Sequence, residues 1–202
     1  MRFLRFSLLG CVLGLVCQAD VLYTFTYTAV TGPVQNFSFS FTAPTFVTDG
    51  SSPAFTPFSP TDGTNSWTMT KDLVALSDPS GANTCFMFGT PFATFGAPPP
   101  FGPCGIGVGG PGVNQGAILL ETSGGLPSAP GIYSTVHFSG LLDTPAGFED
   151  INLGPISGSI DNTGTMTLVV TSVPEPSTLS LMAIGLLALG GALAKRPHKT
   201  DN

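Results

Sequence analysis

The sequence predicts an all-β domain, a β-sandwich or jelly roll, bracketed by an N-terminal signal peptide and a single C-terminal transmembrane helix. Three observations carry that prediction. Short runs such as Tyr23-Thr24-Phe25-Thr26-Tyr27 and Phe37-Ser38-Phe39-Ser40-Phe41 alternate aromatic and hydroxyl side chains, the pattern of half-buried strands. Gly, Pro, Asn and Asp recur between the runs, where turns need them. Charged residues are only 9% of the chain, so the Lys and Glu that clothe solvated helices are scarce, and the central region shows no helical period.

Residues 1–19 open with Arg2 and Arg5, continue as an apolar run over 6–16, and end in Cys17-Gln18-Ala19. Small residues three and one before Asp20 fit signal-peptidase cleavage after Ala19. A lipoprotein signal at Leu8-Leu9-Gly10-Cys11 would leave too short an apolar stretch before the cysteine.

The exported region is expected at 20–172. Strands are predicted over 21–28 and 36–42, joined by a turn at Thr31-Gly32-Pro33 and stacking their aromatics as an antiparallel pair. Residues 44–65, rich in Pro, Ser, Thr and Gly, read as loop with room for one short strand. A strand over 66–76 carries the single tryptophan, Trp67, and Asp78-Pro79-Ser80-Gly81 then supplies a tight turn before a strand at 84–88. Residues 90–112 hold so much Gly and Pro that an exposed, mobile loop is expected. Strands follow at 116–121 and 132–141, the latter placing Ile132, Ser134, Val136 and Phe138 on one face and Tyr133, Thr135, His137 and Ser139 on the other. Strands at 156–160 and 165–171 flank Asp161-Asn162-Thr163-Gly164 as a hairpin, with Met166, Leu168 and Val170 facing the core. Eight turn-separated strands favour a sandwich or jelly roll over a barrel. A region of about 150 residues can bury a genuine core.

Between Asp20 and Ser172 ten Asp and Glu face one basic side chain, Lys71, leaving about nine net negative charges. Nucleic acid is excluded as a partner, because the Lys and Arg that neutralise phosphates are missing. Of four cysteines, Cys11 and Cys17 leave with the signal peptide. Cys85 and Cys104 are left in an oxidising compartment, where a disulfide is expected.

The tail begins at 173. Residues 179–194 carry no charge. As a helix they would span about 24 Å, slightly under the hydrocarbon core of about 30 Å. Lys195 and Arg196 would then form the cytoplasmic stop. Val173-Pro174-Glu175-Pro176-Ser177-Thr178, the Leu- and Gly-rich span and this basic end together resemble a PEP-CTERM sorting tail over residues 173–199. That resemblance implies export, retention at the bacterial membrane by the tail, and processing by an exosortase-type membrane protease. Its box maps onto Pro174, Glu175 and Pro176. It further implies delivery to the cell surface or the medium, in bacteria that make exopolysaccharide. The basic cluster is modest, since Pro197 and His198 interrupt it.

Catalytic material is sparse. The G-x-G-x-x-G match at Gly105–Gly110 precedes Pro111 and opens no helix, so it reflects glycine content. His137 falls on an outward strand position, and no G-x-S-x-G or H-E-x-x-H occurs. Glu149 and Asp150 are the one adjacent pair of acids, expected as a solvated loop. Asp143, Glu149, Asp150, Asp161 and Asn162 are the oxygen ligands that calcium would draw on, but no calcium-loop repeat is present, and turn chemistry explains the Asp-Gly and Asp-Asn pairs. No cofactor, metal or catalytic residue is assigned. The expected function is a non-catalytic surface or matrix protein associated with exopolysaccharide. The alternatives are a carbohydrate-binding module, calcium-dependent or not, and a glycoside hydrolase using Glu149 or Asp150.

Overall fold

The computed structural model describes residues 19–77, 82–96, 104–108, 114–144, 147–152 (backbone only), 163–174 and 184–186. Val21–Ser172 forms one compact unit; Met1–Asp20 and Val173–Asn202 form another.

Among the described residues the first unit holds eleven strands, β1 (Asp20–Thr31), β2 (Phe37–Ala43), β3 (Lys71–Leu76), β4 (Asn83–Gly89), β5 (Ala93–Phe95), β6 (Ile106–Val108), β7 (Gly116–Ser123), β8 (Gly131–Tyr133), β9 (Thr135–Thr144), β10 (Gly147–Asn152) and β11 (Thr163–Val173). They make a four-stranded sheet in the order β2-β1-β11-β8, a five-stranded sheet in the order β10-β9-β7-β4-β3, and a small β5-β6 ribbon. The five-stranded sheet is an antiparallel meander, interrupted only by excursions to the ribbon and to β8. The chain is all-β, with two sheets packed over a shared core: the five-stranded one is a meander, while the four-stranded one sets the β1-β2 hairpin beside β11 and β8.

The two sheets meet through aromatic rings. On β1 and β2 the register pairs Tyr23 with Phe41 and Phe25 with Phe39, and their rings stack at 4.7 and 4.8 Å. Across the interface Phe25 meets Phe86 and Phe88 edge-on at 5.3 and 5.2 Å, and Tyr27 meets Phe138 at 5.3 Å. Edge-on and offset geometries are those that ring quadrupoles favour. Met166, Leu168 and Val170 of β11 are buried in the same core, as their alternation predicts. Trp67 is fully buried and its indole N–H donates to the Asp143 carbonyl at 2.8 Å, satisfying the one polar atom it brings inside.

Several elements depart from the sequence reading. Residues 66–76 do not form one strand. Ser66 and Met69 make isolated bridges to Thr61 and Phe58, and the ladder begins only at Lys71. The cause is local: the Asp62 carboxylate accepts from the backbone N–H of Thr64 and Asn65, which turns the chain back on itself before β3. That turn lets Phe55 and Phe58, from the segment read as loop, pack on the core; Phe58 stacks on Phe39.

Residues 132–141 do not form one strand either. The chain changes sheets at Ser134: β8 pairs with β11 and β9 with β7. The pairs Glu121–His137 and Thr122–Thr135 leave Val136 as a bulge, 51% exposed, and Ile132 is 75% exposed, so neither joins Phe138 in the core. Gly164 lies inside β11 and not in a turn. Its role is packing, since a Cβ there would come within 2.4 Å of the Tyr27 ring. The paired strand predicted at 156–160, with Asp161 and Asn162, and the turn at 78–81 lie outside the described residues.

Residues 90–112 were expected as an exposed loop, yet they contain β5 and β6. Gly and Pro punctuate the stretch, but Ala93-Thr94-Phe95 and Ile106-Gly107-Val108 supply enough apolar surface to dock on the sheet. The Cys85–Cys104 disulfide fastens this ribbon to β4, in agreement with the expected pairing.

Candidate functional site

Two features are candidates for function: the uncharged outer face of the four-stranded sheet and the tail that continues from it. Strand alternation produces the face. With Tyr23, Phe25 and Tyr27 turned inward, Thr24, Thr26 and Thr28 of β1 turn outward. Ser38, Ser40 and Thr42 of β2 and Thr165, Thr167 and Thr171 of β11 do the same beside them. The register sets Thr24 opposite Ser40 and Thr26 opposite Ser38, whose hydroxyls meet at 3.3 Å. Ser38 also donates to the Phe25 carbonyl at 2.8 Å. The Thr31 and Thr163 hydroxyls meet at 2.6 Å, setting the end of β1 beside the start of β11. Neither residues 21–43 nor 163–174 contain a charged side chain, although the exported region as a whole is strongly acidic.

A cleft of about 460 Å³ lies at the other sheet, lined by Ser52, Thr70, Lys71, Asp72, Leu73, Ala93 and Phe95. One oxygen of Asp72 accepts from the Ser52 hydroxyl at 2.6 Å; the other is buried without a hydrogen-bond partner among the described residues. Burial pushes the Asp72 carboxyl above the usual carboxylate range, and the Ser52 bond only partly offsets this. Lys71 donates to the Ala93 carbonyl at 3.3 Å. Among the described residues the cleft holds one carboxyl group, where glycoside hydrolysis by acid pairs uses two. Nothing in the sequence reading singled out Asp72 or Ser52. The signal that could have found Asp72 is a lone acid inside a β-rich run, Lys71-Asp72-Leu73-Val74.

The other residues singled out from sequence are scattered. His137 is half-buried on β9, opposite Glu121. Glu149 and Asp150 are strand residues of β10, not loop, paired in register with Leu142 and Leu141. Asp62 serves as a turn acceptor, whereas Asp49 ties its loop to β3 by taking the Leu76 N–H at 3.0 Å. Among the described residues no three His, Cys, Asp or Glu side chains gather at one point.

β11 runs to Val173 and Pro174 follows, both exposed. Glu175, Pro176, Lys195 and Arg196, like residues 1–18 of the expected signal peptide, lie outside the described residues. Of the expected membrane span 179–194, Ile184–Leu186 are described and helical. Among the described residues no helix is long and apolar enough to cross a membrane.

The family comparison decides what this tail is. Residues 172–196 match the family model of the PEP-CTERM protein-sorting motif. The tail is a PEP-CTERM motif. It marks an exported protein, held at the membrane by its C-terminal tail before an exosortase, a membrane protease, processes it. No curated protein and no solved structure matches the chain. The PEP-CTERM match opens at Ser172, still inside β11, so the sorting motif follows the folded sheet without a linker.

Proposed function

We propose that the protein is a non-catalytic component of the cell surface or extracellular matrix, which lies against neutral exopolysaccharide through the uncharged outer face of β2, β1 and β11. The observation that carries this is the segregation of charge. An acidic exported domain keeps one broad sheet face free of it and sets hydroxyls over most of that face, with Leu22 and Val169 among them. Such a face offers donors and acceptors to a polyhydroxylated chain, and no counter-charge to an anionic one. Sheet twist, about 20–25° per strand, suits it to a flexible polymer better than to a flat crystal.

The test is co-sedimentation of the exported, processed protein with neutral and with anionic polysaccharide. Retention by the neutral polymer, indifferent to salt and chelator and lost in a Thr26→Glu/Thr167→Glu variant, supports the reading. Equal retention of that variant, or retention by neither polymer, overturns it; retention abolished by chelator points instead to the calcium-dependent module. With Phe25, Phe39, Phe41, Phe86, Phe88 and Phe138 spent on the core, a lectin that stacks sugars on rings would have Phe92 as its exposed ring among the described residues.

In delivery, the signal peptide is cleaved after Ala19, residues 179–194 cross the inner membrane with Lys195 and Arg196 on the cytoplasmic side, and the exosortase reads Pro174, Glu175 and Pro176. Two prolines hold such a box extended for a protease. A Glu175→Gln chain should accumulate uncut in a host with the sorting protease; normal processing of it would refute a role for that carboxylate.

A further inference from the structure

The outer face of the five-stranded sheet carries an apolar patch over β3, β4 and β7, with Lys71, Glu121 and His137 on the same face around it. Ala75, Cys85, Met87 and Leu119 form a second cluster there, with Leu73, Phe95, Cys104 and Ile106 packed on it. Phe95 and Ile106 belong to the β5-β6 ribbon, which covers the cluster as a strap. The ribbon has three residue pairs of its own, a Gly96 to Gly105 backbone bond at 3.0 Å, and the Lys71 contact with Ala93. A two-stranded ribbon of this size does not hold together unaided. The covalent link from Cys104 to Cys85 adds to the apolar docking of Phe95 and Ile106 in keeping it on the sheet.

We propose that the β5-β6 ribbon is an oxidation-dependent strap, which docks over the second apolar cluster only after the Cys85–Cys104 bond closes. In closing, the two thiols give up two protons and two electrons by thiol–disulfide exchange to an oxidant disulfide of the export compartment, whose sulfurs leave as thiols. Before export the thiols stay reduced, and Leu73, Met87 and Leu119 remain uncovered. The sandwich core does not need the strap, because Phe25, Phe86, Phe88 and Phe138 lie on the opposite side of the sheet from Met87 and Leu119. Completion of the fold is thus tied to the compartment in which the protein works, independently of any glycan.

The test compares the exported, processed protein before and after reduction by a water-soluble phosphine, which reaches the bond from the half-buried Cys104. Chymotrypsin cleavage at Phe92 and Phe95 should accelerate by at least about tenfold, tracking the open population, and a dye for apolar surface should brighten. Trp67 emission, reporting the core, should stay as it was. Unchanged cleavage would overturn the strap, since the ribbon would then dock without its bond. A Trp67 shift to the unfolded spectrum would also overturn it, by making the disulfide a staple of the whole domain. A Phe95→Ser/Ile106→Ser variant, with the bond intact, should bind the dye as the reduced protein does; no gain in dye would mean that the ribbon covers nothing.

Discussion

The two sheets share one core and differ on their outer faces. The four-stranded sheet is wet on the outside, so β1 and β2 alternate ring and hydroxyl residue by residue. Over β4 and β7 the five-stranded sheet is covered on both sides, and these strands accordingly read as near-continuous apolar runs, Cys85-Phe86-Met87-Phe88 and Ala117-Ile118-Leu119-Leu120, all buried. Alternation thus reports a face left to water, and its loss reports a cover. In this chain the cover is the disulfide-fastened ribbon, which lies in the least regular part of the sequence.

Four substitutions probe this contrast. The largest effect is expected where the sheets meet. Phe25→Ala should cost about 3–5 kcal/mol in denaturant unfolding, because its ring touches partners on both sheets and its loss leaves a cavity. Gly89→Ala comes next. The new methyl would lie 2.2 Å from the Ala93 Cβ and against the Phe95 ring, so it should lift the ribbon at a cost of about 1–3 kcal/mol. Faster chymotrypsin cleavage at Phe95 with Trp67 emission unchanged would separate cover from core.

A smaller effect is expected at Asp72. Its folded carboxyl titrates above the unfolded one, so the native state binds the extra proton in between. Stability is then greatest below the unfolded value and declines as pH rises through the raised one. Asp72→Asn should flatten that decline and leave neutral-pH stability equal or slightly higher, a modest change because the side chain is only half-buried. Thermal melts from pH 3 to 7 on both proteins would show it. The smallest effect belongs to the wet face: Thr26→Val should alter stability by no more than about 0.5 kcal/mol. A larger loss would mean that the hydroxyl ladder supports the fold as well as facing outward.

What could be read from the sequence follows the same divide. β1, β2 and β11 were legible because one face of each is solvated and a period of two survives. The sheet switch at Ser134 was not, because Ile132, Val136 and Phe138 keep the parity of one strand while a bulge at Val136 breaks its geometry. The ribbon was hidden for another reason. Three-residue strands in Gly- and Pro-rich surroundings carry no periodicity, and their docking depends on Cys85, a residue outside the stretch. The disulfide itself followed from compartment and count. The sorting motif was legible because it is a matter of contiguous sequence, whereas Asp72 and its cleft arise only when β3 meets β5.

The place where the tail joins the sheet has a mechanical consequence. β11 is an inner strand, bonded to β1 on one side and to β8 on the other over Leu168–Val170, and the sorting motif starts at its end. Tension applied along the axis of β11 would meet hydrogen bonds lying across the pull, and they would share the load in shear. From an edge strand the same tension would unzip them one after another. A pull along β11 therefore loads an inner strand and not a peelable edge.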